Sequence, residues 1–195
     1  MEWSEALTQN LFGFVSALIG GLAGGYFTLY ATNKAIREQY RHEELAEEKQ
    51  IQNLLDALSV EIDTLWSFHL RRVGGMVEEL KDGDALEFYY PLTQDYFTIY
   101  NTNADHIGAI KDRTLRQSIV ICYNKCKKVV DGFKYNNELY REYTAVASQA
   151  NTSNTDYIRE RYKALQDYAQ IIREDHFELK GYVEGMLALL AARKG

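Results

Sequence analysis

Three segments of this sequence place apolar side chains at alternating steps of four and three residues, a spacing that keeps them on one seam of an α-helix. The first is Ile51, Leu55, Leu58, Ile62, Leu65 and His69. The second is Leu115, Ile119, Cys122, Cys126, Val129, Phe133, Asn136, Tyr140, Tyr143 and Ala147. The third is Ile158, Tyr162, Leu165, Ala169, Ile172, His176, Leu179, Val183, Met186 and Leu190. Nothing interrupts them, because the single proline is Pro91. No stretch reads as a strand. The expectation is an all-α chain whose long heptad-patterned helices form an antiparallel helical bundle with coiled-coil character. The 15 tyrosines suit such seams, since tyrosine offers large contact area with a polar tip.

The connections are marked by turn residues. Gly74, Gly75, Asp82, Gly83, Asp84 and Pro91 predict a break, with Met76 to Leu80 as one added helical turn. Thr93 reads as the N-cap of a short helix QDYFTIYNTNADH that ends at Gly108. The long helices are then expected over Lys111 to Ser148 and Asp156 to Ala192, joined by the cap cluster NTSNT.

A different signal precedes the seams. No charged residue occurs from Ala6 to Asn33, and LFGFVSALIGGLAGGYFTLYA supplies 21 dense apolar and small residues. About 20 such residues cross a bilayer core. The flank MEWSEALTQN is acidic, unlike the basic start of a signal peptide. A retained, single-pass transmembrane helix over 11–31 is therefore expected, followed without a break by a polar stalk. The organisation reads as 1–33 membrane segment, 34–72 stalk and first bundle helix, and 73–195 the remaining bundle. Lys34, Arg37 and Arg41 follow the span and no basic residue precedes it. Positive flanks stay inside. This places the short N-terminus outside and the large domain in the cytoplasm, at the inner (cell) membrane. Gly13, Ala17, Gly21 and Gly25 recur every four residues, with Ser16, Gly20 and Gly24 beside them. Such a face lets a second helix approach closely, so the span is expected to build a homo-oligomer.

Charge narrows the remaining choices. The net charge is −6; setting aside Glu2 and Glu5, 22 basic side chains face 26 acidic ones, leaving −4 after residue 33. That balance disfavours nucleic acid as a partner. The candidate anion- or partner-binding face is the basic run Lys111, Arg113, Arg116, Lys125, Lys127, Lys128 and Lys134. Cys122 and Cys126 sit one turn apart, read as free core thiols of a reducing compartment. No metal-ligand spacing or cofactor motif occurs, so neither metal nor cofactor is expected. His69 and His176 occupy seam positions, where a histidine is either a hydrogen-bonded core residue or a pH-sensitive element. Asn136 is read as a register-setting polar seam residue.

Two resemblances bear on function. Arg37 and His42 have the Arg-x4-His spacing and resemble the catalytic signature of the HEPN ribonucleases, in which the pair would activate a ribose hydroxyl and stabilise the phosphate. The match covers six residues. The pieces ALIGGLAGGYFTLYATNKAI, YPLTQDYFTIYNTNADHIGAI and LRQSIVICYNKCKKVVD resemble uncharacterised bacterial single-pass inner-membrane proteins with a cytoplasmic helical domain. Proteins of that build look like membrane components of phage-defence systems. With no phosphate-cradling glycine loop, Ser-His-Asp order or HExxH in the sequence, no enzyme is expected; the resemblance implies an interaction or effector protein with a protein partner, and the alternatives are the HEPN-like ribonuclease and a non-effector scaffold tethering a soluble complex.

Overall fold

The computed structural model describes residues 2–92, 95–148 and 155–193; before Gly24, side chains are described at Gly13, Leu18, Gly20, Gly21 and Leu22. Every regular element among the described residues is helical: α1 Glu2–His69, a π-turn Leu70–Gly74, α2 Gly75–Glu78, α3 Thr98–Thr102, α4 Ala104–Gly108, α5 Arg113–Ala147 and α6 Thr155–Ala191. The all-α expectation holds. The chain divides into two units, residues 1–50 and 51–195.

In the first unit the helix has no cover from its own unit. All residues from Gly24 to Gln50 are exposed. Local pairs suit a solvated stretch here: Lys34–Glu38 at 4.0 Å and Gln39–Glu43 at 2.8 Å, each four residues apart. Among the described residues no helix is long and apolar enough to cross a membrane. The side chains of Leu11, Phe12, Phe14, Val15, Ser16, Ala17, Ile19 and Ala23, within the expected span, lie outside the described residues.

In the second unit the seams become the core. The buried residues of α6 are Leu165, Ala169, Ile172, His176, Leu179, Val183, Met186 and Leu190, the heptad positions themselves. On α5 the seam is buried from Leu115 to Asn136 and half-buried at Tyr140, Tyr143 and Ala147. Tyr123, Gly132, Asn137 and Leu139 widen the buried face. The last part of α1 contributes Leu54, Leu55, Leu58, Ile62 and Trp66. Each fully buried aliphatic side chain stabilises the fold by about 1.5–3 kcal/mol.

Helices α5 and α6 are antiparallel, as Lys125–Glu178, Lys128–Asp175 and Arg161–Glu142 show by their opposing numbers. Helix α1 departs from the expected alternation and runs parallel to α5. Leu58 and Glu61 meet Tyr123, and further along His69 meets Phe133. The physical reason is the connection. After α2 the chain continues past α6, with Glu87 at Tyr162 and Asn136 holding the Leu86 carbonyl at 3.1 Å. Asn137 then clamps Tyr90 through both its backbone N–H (2.8 Å) and its carbonyl (2.6 Å). From there the chain returns along α5 until Arg116 holds the Gly108 and Ile110 carbonyls. Asn136 thus fixes a loop, where a seam partner was expected. Gly83 turns the outgoing stretch at φ 89°, a left-handed value that glycine adopts without cost.

Local boundaries shift in two places. Gly74 and Gly75 do not break the helix: the chain passes through the π-turn into α2. Thr93 lies outside the described residues, and the expected short helix is two, α3 and α4. Helix α3 is capped from a distance: the Glu61 carboxylate accepts from the Ile99 N–H at 2.7 Å and the Tyr100 N–H at 3.2 Å. This holds buried Phe97 at φ 74° ahead of the helix. Helix α5 begins where Asp112 caps it, its Oδ1 accepting from the Leu115 N–H at 3.1 Å. Leu115 and the nearby Arg193 guanidinium hold the Asp112 carboxyl below its usual range.

Candidate functional site

The second unit brings together the two seam histidines, 107 positions apart in sequence. His69 Nε2 and His176 Nδ1 lie 2.9 Å apart. His176 is fully buried, and its Nε2 meets the Glu78 carboxylate at 3.2 Å. Lys180, one turn along α6, donates to the same oxygen at 3.0 Å. The order of polar groups is therefore Lys180, Glu78, His176, His69. Trp66 stacks on both imidazoles, with centroids at 5.3 and 5.4 Å, and Phe133 meets His69 edge-on at 6.0 Å.

Local backbone makes this arrangement possible. The π-turn starts immediately after His69, and π-turns concentrate at functional sites because they re-aim side chains. Gly74 closes it against His176. A Cβ there would sit 3.3 Å from His176 Cε1 and 2.9 Å from Leu70 Cδ2. Helix α2, one turn long, then delivers Glu78.

Electrostatics keep the pair neutral. Burial, reinforced by His176, pushes His69 from 6.5 down to about 4. Burial also lowers His176, against the pull of Glu78. Glu78 lies below its usual range because Lys180 and His176 hydrogen-bond to it. With Glu78 ionised, His176 Nε2–H donates to it. Neutral His176 then has a bare Nδ1, which accepts from His69 Nε2–H. This chain of bonds leaves His69 Nδ1 as an acceptor.

His69 lies on the wall of a partly open apolar cavity of about 70 Å³. Trp66, Tyr90, Tyr96, Phe97, Val129 and Phe133 line it, together with Ile62 and Cys126. Among the described residues there is no group of three side chains suited to hold a metal ion. The thiols of Cys122 and Cys126 are free and buried. The Cys122 sulfur and burial push the Cys126 thiol up, so it stays protonated.

The other candidate residues fall elsewhere. Arg37 and His42 are exposed on α1 in the first unit. Five residues apart on a helix, they point about 140° apart around its axis. Three of the seven basic residues pair with acids within the fold. Lys125 pairs with Glu178 and Lys128 with Asp175, each at 2.6 Å, and Lys134 pairs with Asp131 at 3.0 Å. Lys127 bonds to Asn101 and lies over the Tyr100 ring, and Arg116 is spent on carbonyls. Lys111 is engaged as well. Gly13, Gly20, Gly21, Gly24 and Gly25 form an uncovered face: a Cβ on any of them would meet nothing within 4 Å. The Ala17 side chain lies outside the described residues.

The periodic reading marked His69 and His176 but missed Glu78 and the cavity. The one available signal was Lys180, four residues from His176 and so on its face. No known protein family, curated protein or solved structure matches this chain.

Proposed function

We propose that this chain is a membrane-anchored interaction protein that self-associates through the glycine face of its first helix. The observation behind the proposal is exposure without cover. Leu18, Leu22, Tyr26, Phe27, Leu29 and Tyr30 are 54–69% exposed beside the open glycines. An apolar surface of that density is stable when lipid or another helix covers it. The uncharged run from Ala6 to Asn33 favours lipid, and close helix approach at the glycines favours a second copy within it. Thr28 fits the same setting, since its hydroxyl bonds back to the Gly24 carbonyl at 2.8 Å. The basic residues after Asn33 favour a cytoplasmic second unit, where the bundle would bind a protein partner.

The test is fractionation followed by a membrane self-association reporter. The full chain should stay in the membrane pellet after carbonate washing. Gly21→Leu with Gly25→Leu should weaken association at least about fivefold while leaving the pellet unchanged. A chain released by carbonate ends the anchoring reading, and unchanged association ends the glycine-face reading. An effector of the phage-defence kind should depolarise cells when overexpressed, whereas a passive scaffold should not.

A further inference from the structure

We infer that the cavity beside His69 is a binding site for a small, mainly apolar ring molecule bearing one hydrogen-bond donor, a phenol being the simplest member of the class. This inference stands on the second unit alone and is independent of membrane anchoring.

The walls define the body of the ligand. Trp66, Tyr90, Tyr96, Phe97 and Phe133 present ring faces and edges, and Val129 and Leu179 complete an apolar surround. Aromatic walls favour a flat ring. A closed cavity of about 150 Å³ holds benzene, so this one, at about 70 Å³, takes a single ring only by way of its open side and has no room for a fused system. Pockets of this kind take their orientation from one or two polar groups in an apolar lining.

The histidine pair defines the polar end. Glu78 fixes the direction of the hydrogen bonds, so His69 Nε2 donates to His176 and His69 Nδ1 is left to accept. No described group hydrogen-bonds to that nitrogen. A hydroxyl on the ligand satisfies it; a methyl in the same place does not. A site built to bond a hydroxyl rejects the analogue lacking it, because the protein's own group is left unpaired. The remote Glu78 and His176 are therefore positioning residues for His69.

The experiment titrates the full chain in lipid nanodiscs with 4-fluorophenol and, separately, 4-fluorotoluene, following the ¹⁹F signal. The two probes match in shape and differ in the donor. Saturable binding of 4-fluorophenol, at least about tenfold tighter than 4-fluorotoluene, is expected. Val129→Phe, which fills the cavity and leaves the histidines in place, should abolish saturable binding of both. His69→Phe should bind both probes equally. Absence of saturable binding to the unmodified chain, or equal binding of the two probes, overturns the inference. So does a preference that survives in folded His69→Phe. If His69→Phe does not fold, the preference of the unmodified chain and its loss in Val129→Phe still decide the matter.

Discussion

Residues 1–50 and residues 51–195 use the same helical period and end with opposite surfaces. In the first unit Leu22 and Phe27 are each 69% exposed, while in the second Leu58, Ile62 and Leu165 are fully buried. The difference lies in where the cover comes from. The second unit supplies its own, because α5 and α6 are joined closely enough to close on each other and on the end of α1. The first unit is a single helix, so whatever covers its apolar side chains is outside that unit. Small residues sharpen the contrast. A Cβ on Gly132 would meet Ile172 at 3.5 Å in the bundle core, whereas one on the glycines of the first unit would meet nothing within 4 Å. Glycine within a helix costs roughly 0.5–1 kcal/mol relative to alanine, so an uncovered row of them is a weakness unless a partner fills it.

The strongest way to break this comparison is a matched truncation. Phe133→Ala should destabilise the bundle by about 3–5 kcal/mol, through lost burial and the cavity left behind. Phe27→Ala should leave the bundle's unfolding midpoint within about 0.5 kcal/mol of the original. Near-ultraviolet circular dichroism melts of the two variants in the same lipid check the pair. An equal loss for Phe27→Ala would mean that the two units share a core.

Acid sharpens it next. His69 takes up its proton at pH 6.5 when unfolded and at about 4 when folded. The unfolded state therefore binds the proton first. Stability is full above pH 6.5 and falls as pH drops toward 4, by up to about 3 kcal/mol. His176 acts in the same sense, since its folded value is also lowered. Denaturant unfolding across that window should show the loss in the original chain and most of it removed in His69→Gln.

The smallest effect is expected at Gly74. A methyl group there presses on Leu70, which can rotate, and on His176, which cannot move freely in the core. Gly74→Ala should cost about 1–2 kcal/mol and shift the imidazole resonances of both histidines. Gly20→Ala, in the open face of the first unit, should shift neither. Unmoved imidazole resonances in Gly74→Ala would show that the π-turn does not hold the pair.

The alternating four-three spacing by itself determined the helices, their core faces and the burial of His176 and Asn136. Periodicity reports which face of a helix must leave water, and this holds regardless of neighbours. The run without charge likewise marked the first helix as different in kind. The tertiary structure alone decided the rest. That α1 lies parallel to α5 depends on a connection pinned by Asn136, Asn137 and Arg116, whose bonds join positions up to 50 residues apart. That α3 starts at Thr98 depends on Glu61, 38 residues upstream of the Ile99 N–H it accepts. That Lys125 and Lys128 of the basic run are paired depends on acids from α6. The histidine site joins α1, α2 and α6 across 107 positions. A one-dimensional pattern records what each helix must bury, and only the packed chain fixes which side chains meet there.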